Sequence, residues 1–167
     1  VAPVLGDAPK GLYVSPDVAD RVERLLVPVA DWITPNLWEL GFLADRPITT
    51  VEQARDAVRQ LGKPALVTSA PAGPDEIGLL YVDKEEAVLL AHARVADTPK
   101  GTGDLVTASF GAGLVEGMDP RDAAERTARA AAEIVLAANL WKSAELPIVA
   151  MADRLVNPKA KVRIEVL

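Results

Sequence analysis

Short apolar runs of strand length alternate with helical patterns along most of this chain, and this alternation limits the folds that it can adopt. Residues 65–68 form one such run, which closely follows a helical pattern over residues 51–61. Thr50 and Gln53 have the spacing of a capping box at the start of that helix, and Gly62 marks its end. Strands and helices that alternate in this way predict an α/β layer fold with a largely parallel sheet.

The same periodicities predict the remaining elements of the fold. The predicted strands cover residues 1–5, 32–34, 77–82, 87–91 and 162–167, and the third and fourth of them form a hairpin. The predicted helices cover residues 37–43, a segment after Asp104 and residues 120–140. A further helix from Ser15 is expected to bury Val18, Val22, Leu25 and Leu26, and residues 69–76 are predicted to be a loop. Because ligands of such folds bind beyond the carboxyl ends of strands, we expect a site in the loops there.

Composition and charge restrict the classes of function. The chain has 167 residues, of which half are hydrophobic and a quarter are charged, as in a globular enzyme with one core. A net charge of −6 argues against a nucleic-acid partner, because phosphate backbones select basic surfaces. No apolar run approaches the roughly 20 residues of a membrane span. The chain has no cysteine, which excludes disulfides and thiolate metal sites, and we expect a cytoplasmic protein.

The most informative motif is Gly101-Thr102-Gly103-Asp104, placed where an irregular segment becomes an apolar helix. Glycines at a helix start leave backbone N–H groups unpaired, and the helix dipole adds partial positive charge, so the spot suits a phosphate. A carboxylate beside a phosphate site repels it. An economical explanation of Asp104 is a general base that takes a proton from a hydroxyl attacking that phosphate. The alternative is an aspartate that caps the helix after a flexible turn.

Polar residues also collect at the ends of the other predicted strands. Asp7 follows the first strand, Thr34, Asn36 and Glu39 follow the second, and the Thr68-Ser69 pair follows the third. The oxygen ligands of Asp7, Thr34 and Glu39 suit Mg²⁺, which prefers one or two carboxylates together with waters and substrate phosphates. Ordinary structural alternatives are a helix N-cap for Asn36, a solvated first-turn carboxylate for Glu39 and a turn for the Thr68-Ser69 pair.

Four segments, in this order and spacing, resemble the pyridoxal kinases of the ribokinase-like superfamily. They are Val-Ala-Pro-Val-Leu-Gly-Asp at residues 1–7, Ile-Thr-Pro-Asn-Leu-Trp-Glu at 33–39, Val-Thr-Ser at 67–69 and Gly-Thr-Gly-Asp-Leu at 101–105. Residues 146–150 and 155–158 resemble the C-terminal end of the same family. The resemblance covers essentially the whole chain. It implies a three-layer αβα fold and ATP-dependent phosphorylation of the 5′-hydroxyl of pyridoxal and related B6 vitamers.

The resemblance also implies roles for individual residues. Asp104 is the implied base for the vitamer hydroxyl, and Gly101, Thr102 and Gly103 form the implied anion hole for the transferred phosphoryl group. The residues implied to bind ATP are Asp7, Tyr13, Asn36, Glu39, Thr68, Ser69, Val95, Ala96, Asp97 and Thr102, and those near Mg²⁺ are Thr34, Glu39 and Asp7. The family also implies a homodimer. Lys100, beside the anion hole, is expected to be an exposed loop lysine.

The chain departs from the family in two places. Family members carry an acidic residue where this chain has Ala2, and that residue helps to form the cation environment near the phosphates. The alanine therefore argues against a monovalent-cation site in this chain. Pyridoxal kinases also extend well upstream of the strand at Val1, and that part supplies most contacts to the pyridine ring. We therefore expect residues 1–167 to be the C-terminal nucleotide-binding portion of one ribokinase-like domain, whose substrate-binding portion lies in an upstream segment of the native protein.

Two alternative functions remain open at this point. One is a hydroxymethylpyrimidine-type kinase of the same superfamily, which would share the anion hole. The other is a non-catalytic nucleotide-binding module that keeps the fold, and the alanine at position 2 gives this alternative some weight.

Overall fold

The computed structural model describes residues 1–167, which form six strands, six α-helices and one short π-helix. The strands are β1 (Gly6–Asp7), β2 (Gly11–Leu12), β3 (Ala65–Gly73), β4 (Glu76–Val82), β5 (Ala87–Ala93) and β6 (Arg163–Val166). The α-helices are α1 (Pro16–Arg21), α2 (Leu37–Leu43), α3 (Val51–Leu61), α4 (Thr102–Val115), α5 (Pro120–Leu140) and α6 (Ala152–Val156), and the π-helix Val22–Leu26 continues α1. None of these helices combines the length and the apolar character that crossing a membrane requires.

The main sheet has the strand order β3-β4-β5-β6, and every neighbouring pair in it runs antiparallel. The predicted hairpin is confirmed as β4 and β5, and the predicted last strand is confirmed as β6. The prediction of a largely parallel sheet is wrong for this chain. The connection between β3 and β4, at residues 74–75, is too short for a crossover between parallel strands, and β6 also pairs antiparallel with β5. Parallel pairing is limited to single bridges, Ile33 to Ala65 and Asn36 to Thr68.

The start of the chain lies beside residues 32–34 without forming a regular strand, which corrects the predicted strand over residues 1–5. The Thr34 N–H donates a 2.9 Å hydrogen bond to the Val1 carbonyl. At Val4 the φ angle is 52°, a left-handed conformation that interrupts the extended geometry and that β-branched residues rarely adopt. Strands β1 and β2 then form a small antiparallel hairpin beside α2.

Strand β3 continues through residues 69–73, where the Pro and Gly content predicts a loop. The register with β4 shifts between Val67 and Ala70, and Ser69 within this shift has a φ of 59°. These features define a β-bulge, which bends the strand without ending it. The loop prediction is therefore wrong because the bulge, and not a turn, accommodates the irregular residues.

Helices cover both faces of the sheet, which confirms the three-layer αβα architecture. Successive residues of a strand point to opposite faces, so Leu66 and Leu90 pack in a cluster with α4 and α5. Val67 and Leu89 belong to the cluster on the other face, which contains α2 and α3.

The local signals of α3 are confirmed, whereas those of the first helix are not. Thr50 and Gln53 form the predicted capping box, and Gly62 ends α3 in the left-handed conformation. In the first helix, Val18 and Leu25 are 45% and 62% exposed, so the predicted buried face is wrong. The π-helical turn from Val22 changes the angle between successive side chains, and a period of 3.6 residues no longer describes the segment.

Candidate active site

A cleft of about 790 Å³ opens between the N-terminus of α4, the β1–β2 hairpin and the segment that precedes α2. It brings together most of the predicted site residues, namely Asp7, Tyr13, Thr34, Asn36, Glu39, Thr68, Ser69, Gly101, Thr102, Gly103 and Asp104. Val95, Ala96 and Asp97 are not among the residues that line it. The loops that follow the predicted strands therefore converge on one place, as the sequence predicts.

The N-terminus of α4 presents bare backbone amides to this cleft. Gly101 occupies the N-cap position with a φ of 96°, and no side chain caps the helix. The alternative of Asp104 as a cap is therefore wrong. A Cβ on Gly103 would meet no other atom within 4 Å, so this residue faces open space. Uncapped N–H groups at a helix N-terminus attract anions, and the exposed Asp104 lies directly beside them in the first turn.

Asn36 and Glu39 form a capping box at the start of α2, which confirms the N-cap interpretation of Asn36. The Glu39 N–H donates a 2.8 Å bond to Asn36 Oδ1, and the Asn36 N–H donates a 2.8 Å bond to Glu39 Oε2. The Leu5 N–H donates a 2.7 Å bond to Glu39 Oε1, and Asn36 Nδ2 donates a 2.8 Å bond to the Gly6 carbonyl. Glu39 is 5% exposed, so it is a buried brace between two segments and not a solvated carboxylate.

Asp7 is the carboxylate of the cleft that retains an unused buried oxygen. Its Oδ1 atom is buried and has no hydrogen-bond partner. Hydrogen bonding of the Tyr13 hydroxyl to the Asp7 carboxylate, reinforced by desolvation and by the Asp7 charge, raises the pKa of Tyr13 to about 12. A buried oxygen without a partner is costly, so Asp7 Oδ1 is a place where a cation or a donor group would be stabilised.

The β3 bulge brings the Thr68-Ser69 pair into the cleft. The Thr68 N–H donates a 2.9 Å bond to the Pro35 carbonyl, which holds β3 against the segment that leads to Asn36. The left-handed conformation of Ser69 leaves this residue exposed. The pair thus lies in a bulged strand and not in a turn, and bulges of this kind often redirect side chains beside active sites.

A smaller cavity of about 340 Å³ shares the Thr68-Ser69 pair with the cleft and extends between the sheet, α4 and α5. Val95 lines this cavity, whereas Ala96 and Asp97 do not. The Ala96 carbonyl instead accepts a 3.2 Å hydrogen bond from Asn139 Nδ2 at the end of α5. A partly apolar cavity beside an anion site has the form that an aromatic base linked to phosphates requires.

The cleft residues offer oxygen donors to a divalent cation that arrives with phosphates. No group of three or more His, Cys, Asp or Glu side chains is placed to hold a metal ion. Mg²⁺ needs few protein ligands, because it keeps waters and binds substrate phosphates. The unpartnered Oδ1 of Asp7, the second lone pair of Glu39 Oε2 and the hydroxyl oxygen of Thr34 supply the oxygen donors that such an ion prefers.

The cleft also includes residues outside the predicted set, among them the polar residues Lys10 and Thr107. Lys10 lies three residues after Asp7 in the hairpin loop. Thr107 lies four residues after Gly103, and this same-face spacing on a helix is the signal that identifies it. Lys100 also lines the cleft and is exposed, as predicted.

Comparison with known proteins gives a family and several relatives. A family model described as phosphomethylpyrimidine kinase matches residues 1–146. A pyridoxine/pyridoxal/pyridoxamine kinase of Bordetella avium is 40% identical over 153 residues, which cover 87% of this chain and 52% of the relative. A pyridoxal kinase of Vibrio campbellii is 32% identical over 170 residues, which cover 98% of this chain and 59% of the relative. The chain thus spans little more than half the length of the curated relatives it matches.

Solved structures of pyridoxal kinases also match this chain in fold. A pyridoxal kinase from Entamoeba histolytica matches with a TM-score of 0.85 and 26% identity, over 99% of this chain and 61% of that one. A pyridoxal kinase from Leishmania donovani, solved with ADP and pyridoxamine, matches with a TM-score of 0.85 and 21% identity, over 99% and 61% of the two chains. Both structures share their fold with nearly the whole of this chain.

Proposed function

Because the chain belongs to the phosphomethylpyrimidine kinase family, we propose that residues 1–167 form the nucleotide-binding portion of an ATP-dependent kinase. The proposed acceptor is the 5′-hydroxyl of pyridoxal and related B6 vitamers, and the product is the 5′-phosphate. Support comes from the relative in Bordetella avium, whose name specifies pyridoxine, pyridoxal and pyridoxamine, and from the relative in Vibrio campbellii, whose name specifies pyridoxal.

One observation carries the proposal, namely the uncapped N-terminus of α4 with a carboxylate in its first turn. Phosphoryl transfer requires mainly positioning and charge neutralisation, with little covalent chemistry from the protein. The amides of Thr102 and Gly103 supply fixed donors for phosphoryl oxygens, and Gly103 leaves room for their close approach. Asp104 supplies a proton acceptor at the same place.

In the proposed reaction, Asp104 accepts the proton of the vitamer hydroxyl while the hydroxyl oxygen attacks the γ-phosphorus of ATP. A P–O bond forms to the acceptor, the bond from the γ-phosphorus to the bridging oxygen breaks, and ADP leaves with that bond's electron pair. The N–H groups of the helix terminus stabilise the negative charge on the phosphoryl oxygens.

ATP would lie across the cleft and the smaller cavity. Its phosphates fit between the N-terminus of α4 and the Thr68-Ser69 pair, and its base fits the cavity that Val95 borders. Asp7 and Tyr13 would contact the nucleotide from the hairpin. Ala96 and Asp97 would border it from the loop that Asn139 holds.

We propose Mg²⁺ as the divalent ion, with Asp7, Thr34 and Glu39 as the residues around it. When bound, Mg²⁺ would neutralise charge on the phosphates of ATP. Glu39 would act chiefly as a brace, since its oxygens already accept three backbone bonds, whereas Asp7 Oδ1 is free to bind. Ala2 lines the cleft with no charged group, so we do not propose a monovalent cation there.

Exchange of Asp104 for asparagine tests the assigned base, in the protein at the full length that its gene encodes. With Mg-ATP and pyridoxal, Asp104→Asn is expected to lower turnover by about 10²- to 10⁴-fold while the affinity for ATP is retained. Asp122→Asn is a matched control, because Asp122 also occupies the first turn of its helix, α5, and is expected to leave turnover unchanged. Unchanged turnover in Asp104→Asn would reject the role of base.

A hydroxymethylpyrimidine acceptor is the second candidate, because the matching family model is described as phosphomethylpyrimidine kinase. The same assay with hydroxymethylpyrimidine in place of pyridoxal separates the two acceptors by their kcat/KM. Tight ATP binding with no product from either acceptor would instead indicate a non-catalytic nucleotide-binding module.

The resemblance to pyridoxal kinases also leads us to propose a cytoplasmic homodimer. Light scattering on the purified protein tests the dimer, since it measures mass without a standard. Microscopy of a fluorescent fusion tests the location.

A further inference from the structure

Two threonine hydroxyls connect the two walls of the cleft. Thr34, on the segment that leads to Asn36, and Thr107, on α4, lie with their Oγ1 atoms 2.8 Å apart. The Thr107 hydroxyl also makes a 3.0 Å bond to the carbonyl of Gly103. A helical threonine often bonds the carbonyl four residues before it, but here a second hydroxyl from a distant segment joins the pair.

The direction of both bonds follows from the hydrogens available. A hydroxyl has one hydrogen, and a carbonyl oxygen can only accept. Thr107 must therefore donate to Gly103, and Thr34 must donate to Thr107. The hydrogen of Thr34 is used within the protein, so its oxygen presents lone pairs to the cleft.

The bond to the Gly103 carbonyl acts on the anion site. The Gly103 carbonyl and the Asp104 N–H belong to the same planar peptide unit, so fixing one fixes the direction of the other. That N–H is one of the uncapped donors at the N-terminus of α4. Thr34 is 7% exposed, and its own N–H is bonded to the Val1 carbonyl, which makes it a rigid anchor.

We infer that Thr107 is a positioning residue that aims the Asp104 amide, at the N-terminus of α4, at the transferred phosphoryl group, with Thr34 as its anchor. This role rests on the proposed function, because it assumes that ATP places its γ-phosphoryl group at that terminus. ADP lacks this group, so the loss of Thr107 should affect the binding of an ATP analogue and spare the binding of ADP.

Calorimetric titration of the protein, at the full length that its gene encodes, with a non-hydrolysable ATP analogue and with ADP, both with Mg²⁺, tests this inference. Thr107→Val keeps the side-chain shape and removes the hydroxyl. It is expected to weaken binding of the analogue by about 2- to 10-fold, the equivalent of one neutral hydrogen bond, and to leave ADP binding unchanged. Thr107→Ser is expected to retain the wild-type affinity for both.

The matched control is Thr127→Val, which removes a similar bond, from Thr127 to Ser109, between α5 and α4 outside the cleft. It is expected to lower thermal stability without changing either affinity. An equal loss of affinity for both nucleotides in Thr107→Val, or no loss for either, overturns the positioning role. Failure of the wild type to bind either nucleotide overturns the proposed function, and the inference with it.

Discussion

Replacement of Gly103 by alanine should separate the stability of α4 from its capacity to bind phosphate. The added Cβ would meet no atom within 4 Å, and the φ of Gly103 lies outside the left-handed region. The folded protein therefore accepts the methyl group without strain. Alanine has the higher helix propensity, and the gain in unfolding free energy is about 0.5–1 kcal/mol, or up to about 2–4 °C in Tm for a chain of this size.

The same methyl group would occupy the space through which a phosphoryl oxygen must approach the amides. A hydrogen bond to a charged group contributes about 1.5–3 kcal/mol, so the loss of one such bond weakens ATP binding by roughly 10- to 100-fold. Calorimetric titration with Mg²⁺ and a non-hydrolysable ATP analogue measures this loss, and thermal unfolding measures the gain in stability.

Gly111 provides the control for this experiment, because it lies in the same helix and its Cβ would also meet no atom within 4 Å. Gly111→Ala is expected to raise Tm in the same way without any change in nucleotide affinity, since Gly111 does not line the cleft. If Gly103→Ala binds the analogue as tightly as Gly111→Ala does, the phosphate does not approach the N-terminus of α4 and the proposed site is wrong.

Two further predictions concern the carboxylates of the cleft. Glu39→Gln replaces one carboxylate oxygen, which accepts a hydrogen bond from a backbone N–H, by an NH₂ group that can only donate. The free energy of unfolding, measured by urea titration, should fall by about 1–3 kcal/mol. A value equal to that of the wild type would contradict the bracing role of Glu39. Asp7→Ala should lower the pKa of Tyr13 from about 12 to near 10, and ultraviolet titration of tyrosinate measures this change. The signal of Tyr81 is separate, because burial raises the pKa of Tyr81 well above its usual range. Because the pKa of Tyr13 is higher in the folded state, the protonated Tyr13 hydroxyl stabilises the fold below about pH 10, and this stabilisation is lost as the pH rises towards 12. An Asp7→Ala variant in which Tyr13 titrates as in the wild type would exclude Asp7 as the cause of the raised pKa.

The parts of the fold that the sequence predicts are those with local signals. The α3 helix is predicted from Thr50 to Gly62 because its capping box and its terminal glycine both lie within the segment itself. The hairpin of β4 and β5 is predicted because the two runs and their charged turn are contiguous. In these cases neighbouring residues decide the conformation.

The sequence-based predictions are wrong where contacts with distant parts of the chain determine the local conformation. Val4 is bulky and β-branched, yet its backbone is left-handed, and nothing in the adjacent residues indicates this. Ser69 follows an apparent strand end, but pairing with β4 resumes beyond it. Within the site, the position of Asn36 as a cap is local, whereas the burial of Glu39 depends on the Leu5 amide from 34 residues away.

The apolar residues of α4 are spread widely around the helix, and this has a consequence for how the helix is oriented. An amphipathic helix is turned to the correct angle about its axis by its own apolar stripe, but in α4 the contrast is weak because exposed residues such as Ala108 and Val115 are also apolar. The rotation of α4 about its axis therefore depends on a few specific contacts. One is at Gly113, where a Cβ would lie 2.8 Å from the Cβ of Ala123, and the others are the hydroxyl pairs Thr107–Thr34 and Ser109–Thr127. One residue of slippage would turn the helix by about 100° and direct its terminal amides away from the cleft.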